Sequence, residues 1–314
     1  MKPQPYNKTR SYDVDLMFFP LSSSAMKKLL TIILVTLALS VIAQDDSVWT
    51  RRAAEITAGC KTAYSKAQAI YRWECINIQY DRDMKIHSAK NCWKLRKGIC
   101  QAYSELFCVL AEHCGLRAVL IQGVAKGTVN GESHAWVMAN TEKGWILIDP
   151  TWGAGITHDS TEVPMAWFDV KPDVMIFSHF PEDAEDQRLT KPITFEQYSR
   201  LPNIPAGVTQ SGWSGTTLLN YFLSHPQSKP PRLYTSFTTF AGKFRLISAP
   251  YDGTLQAGKT YTFKVQILDP KYELDGTGKW NRNGNIYTCV YTAKKGEDFK
   301  IVINYMTIMK YTVL

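Results

Sequence analysis

Gly98-Ile99-Cys100-Gln101-Ala102-Tyr103-Ser104-Glu105-Leu106-Phe107-Cys108-Val109-Leu110-Ala111-Glu112-His113-Cys114-Gly115 sets a thiol at the head of an amphipathic segment. Gly98 breaks the polar run before it. Tyr103, Leu106, Phe107, Leu110 and Cys114 then recur at offsets of three and four. That spacing predicts one helix from Gln101 to Cys114 with a single apolar stripe, stopped by Gly115. Cys100 therefore stands at the helix N-terminus, where unpaired backbone N–H groups and the positive end of the dipole favour an anion. The placement lowers a thiol pKa and leaves N–H donors for an oxyanion. Cys100 reads as a nucleophile.

A nucleophilic thiol needs a base, and the base needs a group to orient it. Ser133-His134-Ala135-Trp136 and Ile148-Asp149-Pro150-Thr151-Trp152 supply both. His134 to Ala139 and Trp145 to Asp149 alternate as two strands, with Asn140-Thr141-Glu142-Lys143 and the following Gly144 as turn chemistry. A four-residue loop at 140–143 pairs Ala139 with Gly144 and places His134 opposite Asp149. Directly opposed residues bring their Cβ atoms to roughly 4.5–5.5 Å, within reach of an imidazole–carboxylate hydrogen bond. Pro150 lacks a ladder donor and ends the strand just after the acid.

From about Lys66 to Leu189 the chain resembles the transglutaminase-like superfamily. The likeness runs through Ile76-Asn77-Ile78-Gln79-Tyr80-Asp81, Gly98 to Ser104, Gly115-Leu116-Arg117-Ala118, Gly123 to Gly127, His134-Ala135-Trp136 and Asp149 to Gly155. Trp167-Phe168-Asp169-Val170-Lys171-Pro172 and Phe177-Ser178-His179-Phe180-Pro181-Glu182-Asp183 resemble its kyphoscoliosis-peptidase branch. The resemblance implies a papain-like α+β core, N-terminal helices packed on an antiparallel sheet, and a catalytic triad of Cys100, His134 and Asp149. It also implies attack on an acyl carbon through a thioester, completed by water in a peptidase or amidase and by an amine in a crosslinking enzyme. No carboxylate cluster suggests the calcium site of animal crosslinking enzymes, since Asp81 and Asp83 alone make a poor one. Hydrolysis is the expected outcome; transfer to an amine, or a non-catalytic peptide- or protein-binding module on the same fold, are the alternatives. Gln101, Trp73 and Trp93 are candidates for a second oxyanion donor.

Met26-Lys27-Lys28 followed by Leu29 to Ala43 has the charged start and apolar core of a secretory signal. Its apolar core of about 15 residues is short for a bilayer span of about 20. Cleavage is expected after Ala43, giving a secreted or periplasmic protein with no stable membrane span. Residues 1–25 are an unusual prelude, so translation starts at Met1 or Met26. Export makes the seven cysteines relevant. With Cys100 free, six remain that can pair in an oxidising compartment, in 15 possible connectivities. Cys108 and Cys114 share one helix and point apart. No Cys/His spacing suggests zinc, and no cofactor or metal ligand set is assigned.

Beyond the signal, 1–43, the expected division is a catalytic domain at 44–189, a bridging region at 190–231 and a C-terminal β domain at 232–314. Helices are expected at Ala53–Ala58 and Tyr64–Ile76, then at Phe195–Arg200 and Thr217–Ser224 in the bridge. Strands are expected at Phe244–Ile247, Thr260–Leu268, Ile286–Tyr291 and Phe299–Tyr305, at the spacing of a small β-sandwich; an immunoglobulin-like accessory domain is one form it can take. The net charge of +8 includes +3 from residues 1–43 (five Lys/Arg, two Asp), leaving +5. That mild surplus suits anionic envelope polymers or acidic peptides. Without a basic stripe interleaved with aromatics, nucleic acid is set aside. The expected partner is a peptide or protein substrate, including one in the cell envelope.

Overall fold

The computed structural model describes residues 23–126, 133–155 and 163–314. The chain divides into two compact units, Met1–Val48 and Trp49–Leu314. In the first, the described residues belong to α1 (Ser23–Ile56), whose last residues, from Trp49, count with the second. Leu30, Ile32, Ile33, Leu34 and Val35 are exposed along it. Among the described residues no helix is long and apolar enough to cross a membrane.

The second unit continues with three more helices and a sheet. α2 (Ala63–Asn77) starts with a reciprocal cap, the Thr62 and Ser65 hydroxyls each accepting the other's backbone N–H. It buries Ala67, Ile70, Tyr71, Glu74 and Cys75, the three-and-four spacing of an inward face. After α3 (Ala89–Leu95), Arg96 takes a left-handed conformation (φ 55°) and the chain turns into α4 (Cys100–His113). α4 begins one residue earlier than its apolar stripe predicts. Tyr103, Leu106, Phe107 and Leu110 are fully buried and Cys114 is half-buried, with Gly115 at φ +74° closing the end.

The sheet comprises β1 (Ala118–Ala125), β2 (Ser133–Thr141), β3 (Gly144–Ile148), β4 (Phe168–Val170) and β5 (His179–Pro181). All its pairings are antiparallel, in the order β4-β3-β2-β1-β5. α4 packs on β1 and β2. This is the expected α+β core of helices on an antiparallel sheet. Gly123 permits its tightest crossing: a Cβ there would strike the Phe180 carbonyl and lie 2.7 Å from the Trp136 ring. Short β5 can therefore close on β1.

The β2–β3 hairpin departs from the expected register. Thr141 pairs with Gly144 and Val137 with Ile148, so the turn has two residues, Glu142 and Lys143. The Thr141 hydroxyl explains the shift. It accepts the Lys143 N–H at 3.1 Å and donates to the Gly144 carbonyl at 2.9 Å, closing the turn inside the expected loop. The slip is by two residues, so every side chain keeps its face.

From Arg232 on, the chain is largely β. β6 (Phe244–Ser248), β7 (Thr260–Ile267) and β8 (Ile286–Thr292) form one antiparallel sheet with Asn281–Asn283. β9 (Phe299–Ile303) and β10 (Met306–Val313) lie in a second, with Leu274–Gly276 and Thr254–Leu255. Buried aromatics join the two sheets: Phe263 stacks on Phe299 at 3.8 Å and meets Tyr311 edge-on at 5.2 Å. The expected single strand Phe299–Tyr305 is the first half of a hairpin. Asn304 and Tyr305, at φ 45° and 64°, turn the chain into β10.

Candidate active site

Cys100 is the first residue of α4, and the residue before it, Ile99, offers no side-chain cap. The backbone N–H groups at the helix start therefore stay available, and those of Gln101 and Ala135 favour the ionised Cys100 sulfur. His134 stands opposite Gly123 on β2. Asp149 follows β3 and caps the short helix α5 (Pro150–Ala154). Its two oxygens divide their work: Oδ1 accepts the Trp152 N–H at 3.0 Å, and Oδ2 accepts from His134 Nε2 at 2.8 Å. His134 also favours the ionised form of Cys100 and is favoured as an imidazolium by it, and with Nε2 committed to the carboxylate, Nδ1 is the atom left for the thiol. The three predicted residues thus come together at one place, although His134 and Asp149 meet diagonally rather than directly across the hairpin.

The charges are coupled through this chain. Burial opposes ionisation of Cys100, but the His134 hydrogen bond and charge, with the two backbone N–H groups, bring its pKa below the usual thiol value. For His134, burial is overcome by the Asp149 charge and hydrogen bond and by Cys100, which raise its pKa to about 10. Asp149 is fully buried, yet both neighbouring imidazoles hold it well below the usual carboxylate range. The arrangement favours a thiolate–imidazolium pair, the form in which a cysteine attacks an acyl carbon.

Sequence reasoning missed His179. Its Nε2 lies 3.0 Å from the same Asp149 Oδ2, and its Nδ1 lies 2.7 Å from the Ser178 hydroxyl. Burial depresses its pKa to about 4, so it is neutral at ordinary pH. A neutral imidazole facing a carboxylate must donate from Nε2, leaving Nδ1 to accept from Ser178. A lone histidine amid the apolar residues around Phe177 was the available signal; its partner is set only by the closing of β5 on β1. Trp136, Trp152 and Trp167 lie with ring centres 5.0, 4.5 and 5.4 Å from His179, shielding the polar trio.

His134, Asp149 and His179 also present ligand atoms within 4.8 Å of one another, close enough for a metal ion. Here both Nε2 atoms and the shared oxygen are bonded to each other, so a metal would have to displace two buried hydrogen bonds. Asp81 is likewise occupied: it accepts the backbone N–H groups of Lys85 at 2.8 Å, Ile86 at 3.0 Å and Asp83 at 3.3 Å. Gln101 Nε2 donates to Glu105 at 2.9 Å. Trp73 and Trp93 stack at 4.6 Å, with the Arg96 guanidinium over both rings. No disulfide joins any of the seven cysteines, all of which lie among the described residues.

A family model, the Transglutaminase-like superfamily, matches residues 50–150. The chain carries a transglutaminase-like domain. The match contains Cys100, His134 and Asp149 and stops before His179. The chain is 28% identical to mouse Kyphoscoliosis peptidase over 152 residues, 42% of this chain and 23% of that protein. It is 24% identical to Drosophila melanogaster Hillarin over 194 residues, 53% of this chain and 24% of that protein. It spans about a quarter of the length of these curated relatives. A solved structure from Cytophaga hutchinsonii, provisionally assigned as a cysteine protease, is 22% identical with a TM-score of 0.32, covering 40% of each chain.

Proposed function

We propose that the chain is an exported cysteine hydrolase that opens peptide or amide bonds. The observation that carries this reading is the 2.8 Å hydrogen bond of His134 to Asp149 beside a Cys100 thiol whose pKa His134 lowers. The Cys100 thiolate adds to the acyl carbon, and N–H groups at the head of α4 receive the developing oxyanion. The imidazolium of His134 then gives its Nδ1 proton to the leaving amine, leaving a thioester. Water, deprotonated by the now neutral His134, releases the acid and returns the thiol. Asp149 keeps His134 in the right tautomer and offsets its charge throughout. The mouse relative bears the name peptidase, which agrees with this choice. Export rests on the charged Met26-Lys27-Lys28 start and on the exposed apolar run Leu30–Val35, which a folded body would bury but a targeting segment need not.

The test is incubation of the full chain with casein and a fluorescent primary amine. Hydrolysis predicts new casein fragments, no fluorescent casein, and loss of cleavage in Cys100→Ala. Fluorescent casein would instead establish acyl transfer to the amine. An unreactive Cys100 with neither product would leave a binding module.

A further inference from the structure

A cleft of about 510 Å³ is lined by Trp152 and Trp167, next to the His134 and His179 rings. Pro205, Pro231, Arg232 and Tyr234, from the segments leading into the β region, also line it. Trp152 belongs to both places. Its indole lines the cleft and lies 5.5 Å from the His134 ring, centre to centre, so a molecule in the cleft is one indole from the catalytic base.

The lining mixes aromatic rings and prolines with the polar Asn203, Thr235 and Thr238; the rings and prolines are surfaces that take up proline or aromatic side chains of an extended peptide. The described lining residues carry one formal charge, that of Arg232. Its guanidinium stacks 4.8 Å above the Tyr234 ring, which leaves the N–H edges free to grip a carboxylate. Lys310 pairs with it across the strands, but Lys310 is neutralised by Asp298 at 2.8 Å. Arg232 has no ion pair among the described residues. An unmet cation in an aromatic wall is complementary to an anionic occupant.

We propose that this cleft is the substrate-docking subsite of the Cys100 centre and takes an acidic peptide segment, a proline or aromatic residue beside a carboxylate. The assignment to the Cys100 centre rests on the hydrolase reading; binding in the cleft does not. The probe is a fluorescent Pro-Pro-Trp-Glu-Glu peptide, with Gln-Gln and Lys-Lys versions as controls. Anisotropy is read on the full chain carrying Cys100→Ala, so that no turnover intervenes. The acidic peptide should bind about ten-fold more tightly than the Gln-Gln version, the effect expected of one carboxylate–guanidinium contact. Arg232→Glu should reverse the order in favour of the Lys-Lys peptide. Arg232→Gln, which keeps most of the stem, should abolish the preference and serves if the Glu variant does not fold. On the wild-type chain, saturating acidic peptide should slow alkylation of Cys100.

Equal binding of the three peptides, or a preference unmoved by either Arg232 variant, overturns the assignment of the ligand. Binding that leaves Cys100 alkylation unchanged overturns the link to the triad. The hydrolase reading fails separately, through the pH profile of Cys100 in the absence of peptide.

Discussion

His179 and His134 share one carboxylate oxygen: their Nε2 atoms lie 3.0 and 2.8 Å from Oδ2 of Asp149. The neutral His179 donates to the carboxylate without competing for charge, fixing the acid that fixes the base. Replacing it with Leu removes the donor and leaves Asp149 held from one side. His179→Leu is expected to lower kcat about ten-fold, while His179→Gln, which retains an N–H donor, recovers part of the loss. Equal activity in both variants would reduce His179 to packing.

Asp149 links activity to stability. Its pKa is held below the carboxylate range, so its stabilisation is present above the ordinary value of about 4 and is lost as pH falls below it. Asp149→Ala strands two buried imidazoles and an N-terminal helix N–H, an expected cost of about 3–5 kcal/mol at pH 7. Denaturant titrations of wild type and variant should differ most near neutrality and begin to converge only below about pH 4. Asp149→Asn, by losing the charge and the tautomer control, should lower kcat by about 10⁴.

Glu74 has the opposite linkage. It is fully buried on α2, and neither carboxylate oxygen has a hydrogen-bond partner among the described residues. Desolvation lifts its pKa well above 4.5. Its proton is kept on folding, so stability is fullest below that value and declines as pH rises. Glu74→Met should stabilise the chain at pH 8 by about 1–3 kcal/mol, with little effect at pH 4. A destabilised variant at pH 8 would mean that the carboxyl contributes favourably to the folded state.

Gly98 sets where the nucleophile stands. A Cβ there would lie 2.8 Å from the Ala102 Cβ and 2.9 Å from the Cys92 sulfur, so Gly98→Ala must displace the start of α4. Misplacement of a reacting group by about 1 Å can cost about 100-fold in rate. Alkylation and turnover should both slow by 10- to 100-fold, about the range for such a shift, while the melting temperature reports stability separately. Unchanged rates would show that the helix start can give way without moving the thiol.

The sequence carried the helix of Cys100 and the pairing of His134 with Asp149 because both depend on local periodicity. The hairpin register was read two residues away from the structure, since the turn is closed by the hydroxyl of Thr141 rather than by backbone preference alone. The pairing survived because an even slip keeps both residues on one face. β10 was hidden for another local reason: its turn uses Asn304 and Tyr305 at positive φ with no glycine to announce it. His179 was illegible as a site residue because its place is set by β5 closing over Gly123, a contact between segments far apart in the chain.

The most direct test is the pH dependence of Cys100 alkylation by iodoacetamide in wild type and His134→Ala, with the Cys100 peptide identified by mass spectrometry. Burial raises the pKa of Cys108 to about 12 and also raises that of Cys114, which keeps them slow at low pH. The account predicts rapid wild-type alkylation well below the free-thiol pKa of about 8.5, lost in His134→Ala. Alkylation that follows a free thiol near pH 8.5 in both proteins would contradict it.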